Sequence, residues 1–98
     1  MAEIQLVVVD PSGLHARPAA RFVQVASRFV STVRIRSATR DADAKSLIAV
    51  LGLAIRPGSQ IVIATAGPDA DAAIDALVSE LSPFVTREIP GPPTDPAT

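Results

Sequence analysis

Cysteine is absent from this 98-residue chain, which excludes a disulfide framework and any thiolate metal site. Tryptophan and tyrosine are absent as well. With only Phe22, Phe29 and Phe84 as aromatics, the core has to be built from Val, Ile, Leu and Ala. An excess of either charge is also missing: nine basic against ten acidic side chains give a net charge of −1. That balance provides no overall attraction for nucleic acid, so any functional field must be local. No apolar run approaches the ~20 residues a membrane span requires. The opening Met1-Ala2-Glu3 lacks the basic-then-apolar order of a signal peptide. These absences predict a cytoplasmic protein with no membrane insertion. His15 is the single histidine, so no second His or Cys is available to share a metal ion with it, and none is expected.

What is present suits one domain, with a hydrophobic share of 48%. Residues 3–9 (EIQLVVV) alternate and then run β-branched, a buried strand. Asp10-Pro11-Ser12-Gly13 is strong turn chemistry. From Ala16 the period changes: Ala19, Phe22, Val23, Ala26 and Val30 recur at three and four, against Arg17, Arg21, Gln24 and Arg28. That pattern predicts an amphipathic helix with a basic outer stripe. Val33 and Ile35 alternate with Arg34 and Arg36 in a strand with one wet face. Residues 38–44 read as a polar connection, with a short strand as the alternative. The apolar stretch Leu47 to Ala54 is too short to declare its type, although Ser46 before it suits the cap of a short helix. Arg56-Pro57-Gly58 is a turn, residues 60–66 a further strand, and Ala70, Ala73, Ile74, Leu77, Val78 and Leu81 the inner face of a last helix. Asp69, Asp71 and Asp75 near its start suit the helix dipole. Residues 83–98 hold more than half of the nine prolines and little apolar content, the composition of a disordered tail. The order β-α-β-(β)-α-β-α predicts an α+β domain, its antiparallel or mixed sheet covered by helices on one face.

The chemistry-bearing stretch is Gly13-Leu14-His15-Ala16-Arg17-Pro18-Ala19-Ala20. It places the lone imidazole where a turn passes into a helix. The first amides of a helix lack intrahelical acceptors and carry the positive end of its dipole, so the N–H groups of Ala16 and Arg17 suit a phosphate. Arg17 adds a permanent cation with a fork matched to phosphate oxygens. Pro18 is tolerated in a first turn, where its missing N–H costs nothing. A neutral imidazole is a nucleophile near physiological pH. On position alone, a histidine beside a turn is more often an ordinary surface or capping residue, and Arg17 more often an ordinary solvated one.

The motif GLHARPAA, following a single strand, resembles the active-site signature of the histidine-containing phosphocarrier family, HPr. Asp43-Ala44-Lys45-Ser46-Leu47-Ile48-Ala49-Val50-Leu51 resembles that family's second segment, its regulatory serine and short helix. Pro57-Gly58-Ser59-Gln60-Ile61 and Gly67-Pro68-Asp69-Ala70 fit its later turn and last helix. The resemblance covers about residues 3–84, giving an HPr-like domain over 1–84 and a proline-rich tail over 85–98. It implies an open-faced β-sandwich, a four-stranded antiparallel sheet with three helices on one face. It further implies that His15 is phosphorylated through Nδ1 with Arg17 assisting, and that the chain is a covalent carrier with no cofactor, not an enzyme. Enzyme I of the phosphoenolpyruvate-dependent sugar phosphotransferase system would be the donor and IIA components the acceptors. Leu47, Ile48 and Leu51 would dock those partners, although core packing explains them equally well on sequence alone. Ser46 would be a regulatory site for an HPr kinase/phosphorylase, while a plain N-cap already accounts for its position.

Two departures stand out. The tail is longer than usual, and the turn near Arg40-Asp41 lacks an expected glycine. Ala19-Ala20-Arg21-Phe22-Val23 also resembles the HPr-like domains that feed dihydroxyacetone kinases, which leaves the acceptor open. A hydrolase using His15, Ser46 and an aspartate is disfavoured, because no G-x-S-x-G elbow is present. A non-catalytic interaction module predicts that His15 is dispensable. Nothing in the sequence calls for a stable oligomer, so a monomer is expected.

Overall fold

The computed structural model describes residues 1–87. In chain order it comprises β1 (Ala2–Val8), α1 (Ala16–Ala26), β2 (Thr32–Ser37), β3 (Arg40–Asp43), α2 (Leu47–Leu51), β4 (Gln60–Ala66), α3 (Ala70–Leu81) and β5 (Val85–Arg87). The strands form one sheet of order β3-β2-β4-β1-β5, every neighbouring pair antiparallel. Strand alternation decides which face is covered. Leu6 and Val8 of β1, Val33 and Ile35 of β2, and Ile61, Ile63 and Thr65 of β4 point into the core, while Glu3, Arg34 and Arg36 stay in water. The three helices supply the other half of that core through Ala19, Phe22, Val50, Ala73, Leu77 and Leu81, with α1 packed against both α2 and α3. Phe22 is fully buried, the largest side chain in a core otherwise made of aliphatics, so truncating it to Ala should cost about 3–5 kcal/mol.

Three expectations need correction. The sheet has five strands rather than four. Val85–Arg87, assigned to the tail, pairs with β1 in the register Leu6↔Arg87, Val7↔Thr86, Val8↔Val85. Three residues are too few for alternation to register, yet they satisfy backbone groups of β1 that would otherwise form a bare edge. The rest of the proposed tail, residues 88–98, lies outside the described residues. The first helix stops at Ala26, before Val30, which is 77% exposed instead of facing inward. The amides of Ser27, Arg28 and Phe29 close tight turns on Val23, Val25 and Ala26, and the Val30 amide is held by the Asp69 carboxylate at 3.0 Å.

The open alternatives resolve toward regular structure. Residues 40–43 are a strand, and Leu47–Leu51 is a helix. The β2–β3 hairpin turns through Ala38 at φ +57°, the left-handed conformation that glycine adopts without penalty. This is the place where the sequence lacks the glycine expected of the turn.

Candidate functional site

The site forms where β1 runs out. Asp10 begins a turn in which its Oδ2 accepts from the Ser12 amide at 2.9 Å and its carbonyl from the Gly13 amide at 2.9 Å. Gly13 has φ +66°, and a Cβ there would lie 2.5 Å from the Ile55 carbonyl oxygen. Only glycine meets both demands. Leu14 is buried and donates its amide to that same Ile55 oxygen at 3.2 Å, which sews the turn to the loop after α2. The loop is in turn sewn to β1: Gly58 N–H donates to the Val8 carbonyl at 2.7 Å and Val8 N–H to the Ser59 carbonyl at 2.9 Å.

That foundation presents His15 as the N-cap of α1, with φ −87° and ψ −172°. Its carbonyl accepts from the Ala19 amide at 3.0 Å, the first bond of the helix. Its imidazole makes no capping bond, and the residue is exposed. Among the described residues the amides of Ala16 and Arg17 have no acceptor, and Pro18 has no amide to satisfy. A free imidazole therefore stands beside two free N–H groups at the positive end of an 11-residue helix.

Arg17 is exposed and enters none of the ion pairs among the described residues. It borders a shallow groove shared with Pro18, Arg21, Glu80, Pro83 and Phe84, in which Arg21 is tied to Glu80 at 3.2 Å. No hydrogen bond joins Arg17 to His15. Ser46 belongs to a second helix start: it is the N-cap of α2, and its Oγ accepts from the Ala49 amide at 3.3 Å. The plain-cap account of Ser46 is thus met in full, with its hydroxyl still part-exposed. On α2 only Val50 is fully buried, whereas Leu47, Ile48 and Leu51 are 37%, 84% and 40% exposed. Core packing does not account for Ile48, while Leu47 and Leu51 are each more than half covered yet lie outside the fully buried core. Sequence reasoning read Gly13 only as a turn and motif residue and passed over Ile55, whose carbonyl leaves no room for a side chain at position 13. Among the described residues no group of three or more His, Cys, Asp or Glu side chains is placed to hold a metal ion, and no helix is long and apolar enough to cross a membrane.

Fold and site together define an open-faced α+β domain with a single exposed imidazole at the start of its first helix. Comparison with known proteins gives that class its family. The family described as PTS HPr component phosphorylation site matches residues 2–82. The phosphocarrier protein HPr of Lysinibacillus sphaericus is 41% identical over 78 residues, 80% of this chain and 89% of that protein. The phosphoryl donor subunit DhaM of the phosphoenolpyruvate-dependent dihydroxyacetone kinase of Providencia stuartii is 42% identical over 73 residues, 74% of this chain and 15% of that protein. The solved structure of a Mycoplasma histidine-containing phosphocarrier protein superposes with a TM-score of 0.81 at 36% identity, over 82% of this chain and 91% of that one. The chain belongs to the HPr family of the phosphotransferase system, and its function is that of a phosphocarrier rather than a catalyst.

Proposed function

We propose that His15 is the residue that carries the phosphoryl group, taking it from phospho-enzyme I and passing it to IIA components of the sugar phosphotransferase system. One observation carries this reading: the single histidine of the chain is exposed at the start of α1 beside the unclaimed amides of Ala16 and Arg17. In the transfer, a lone pair on Nδ1 of neutral His15 forms a bond to phosphorus as the bond from phosphorus to the donor atom breaks, and the donor keeps that electron pair. The three phosphoryl oxygens spread their charge toward the Ala16 and Arg17 amides and the Arg17 guanidinium. Because a carrier must also release its cargo, these groups serve best when they hold the transferring phosphoryl more tightly than the resting adduct.

Leu47, Ile48 and Leu51 form the docking patch for donor and acceptor, as their exposure on a helix packed against α1 supports. Ser46, at the start of that helix, is the point where an HPr kinase/phosphorylase would add about −2 charge to the docking surface and weaken it. The protein acts as a monomer in the cytoplasm. A second acceptor, a dihydroxyacetone kinase system, is favoured by the likeness to the Providencia stuartii donor subunit.

Reconstitution tests the reading. Phosphoenolpyruvate, enzyme I and a IIA component should give labelled IIA only when this chain is added, and none with His15→Ala. Equal labelling of IIA by the two proteins would defeat it. Replacing IIA by a dihydroxyacetone kinase in the same assay separates the two acceptors.

A further inference from the structure

Arg56 follows Ile55 in the loop that underlies the His15 turn. A Cβ built on Gly13 would lie 3.0 Å from the Arg56 Cα, so the two backbones are in direct contact. His15 stands two residues beyond Gly13, a reach of at most ~7 Å of chain. The loop cannot easily swing away. The Arg56 amide donates to Ser59 Oγ at 3.0 Å, and its neighbours bond to Leu14 and Val8 on both sides.

The charge inventory distinguishes this arginine. Arg21, Arg34 and Arg36 each face a carboxylate, and Lys45 Nζ donates to the Phe29 carbonyl at 2.8 Å. Arg56 is exposed and has no ion pair among the described residues, as is true of Arg17. Arg28 and Arg40 likewise have no ion pair among the described residues, but they lie after the far end of α1 and on the β2–β3 hairpin. The carboxylate nearest in the turn, Asp10, has its Oδ2 engaged by the Ser12 amide. Two exposed arginines without an ion pair among the described residues therefore stand on the segments that meet at the His15 turn, one on α1 and one in the loop after α2. A dianionic phosphoryl group balances two such cations, where Arg17 alone would leave it half neutralised.

We propose that Arg56 is a second phosphate-binding cation of this carrier, holding the phosphoryl group on His15 together with Arg17. The inference rests on His15 being the phosphoryl acceptor. Arg56 supplies fixed charge to the dianion, lowers the pH at which the bound phosphoryl group takes up its proton, and speeds transfer by stabilising the spread charge of the moving group.

The test phosphorylates His15 with phosphoramidate, which needs no partner protein, and follows the ³¹P resonance of the adduct against pH. Arg56→Gln should move the titration midpoint upward, Arg56→Lys should restore part of the shift, and Arg40→Gln should leave it in place. Transfer from phospho-enzyme I should slow about tenfold in Arg56→Gln. Thermal melts of each variant guard against a misfolded protein being read as a success. An Arg56→Gln adduct that titrates as the wild type does overturns the proposal, even if transfer slows, since that pattern marks docking instead of phosphate contact. Should phosphoramidate charge His15 while enzyme I does not, the donor assignment fails but the titration still decides Arg56. If neither reagent charges His15, the carrier reading fails and this inference with it.

Discussion

Ser31 and Asp69 hold each other reciprocally across 38 residues of chain: the Ser31 hydroxyl donates to Asp69 Oδ1, and the Asp69 amide donates to Ser31 Oγ at 3.1 Å. The same carboxylate accepts the amides of Ser31 at 2.9 Å and Val30 at 3.0 Å. This knot fastens the α1–β2 turn to the start of α3. It leaves no room for a side chain at Gly67, where a Cβ would lie 2.5 Å from Ser31 Oγ. Asp69 thus gives its carboxylate to a distant turn and makes no side-chain cap on its own helix.

The knot predicts a pH dependence. The Ser31 hydroxyl above all, then the Val30 and Ser31 amides, hold the Asp69 carboxyl below the usual aspartate range. A carboxyl whose value falls on folding adds stability above its unfolded value of about 3.9, and that stability is lost as pH falls through the folded value. Urea unfolding of wild type and Asp69→Asn from pH 7 down to pH 2.5 checks this. The gap between the two proteins should be widest near neutrality and close as acid protonates Asp69. A gap constant with pH would contradict the account. Comparing the two proteins also cancels the contribution of Asp41, likewise held low by Arg34.

Glycine at position 13 answers two separate demands, which two substitutions can separate. Gly13→Ala meets both a positive φ of 66° and the Ile55 oxygen. Gly58→Ala meets a positive φ of 86° with nothing within 4 Å. Chemical denaturation should show Gly58→Ala costing about 1 kcal/mol. Gly13→Ala should cost clearly more, roughly 2–4 kcal/mol, and also slow phosphorylation of His15.

Ala38 offers a gain. Its φ of +57° penalises any side chain, so Ala38→Gly should raise stability by about 0.5–1 kcal/mol after the added freedom of the unfolded chain is subtracted. The midpoint of urea unfolding reads the change, and phosphorylation of His15 should be unaffected.

Ile48 separates docking from folding. At 84% exposure, Ile48→Ser should leave stability within about 0.5 kcal/mol of wild type. The apparent KM for this chain as the substrate of enzyme I should rise about tenfold. Unchanged kinetics would remove Ile48 from the docking surface.

Much of this architecture was readable from pattern. Alternation in residues 32–37 marked one strand, because its partners bury one face and leave the other wet, and the apolar run 60–66 marked a second. The motif around His15 marked the start of α1, which begins at Ala16 with His15 as its N-cap. Long-range pairing was the hidden part. Val85–Arg87 becomes a strand where β1 offers it an edge, and Val30, beyond the end of α1, gives its amide to Asp69. Exposure of Leu47, Ile48 and Leu51 was equally invisible, for a short apolar run reads alike whether it faces the core or a partner.

The most direct measurement of the central claim is the intact mass of the protein after incubation with phosphoenolpyruvate and enzyme I, for wild type and His15→Ala. The account predicts the gain of one phosphoryl group, labile to acid, in wild type and none in the variant. A phosphoryl group retained by His15→Ala, or no gain in wild type from any enzyme I, would contradict it.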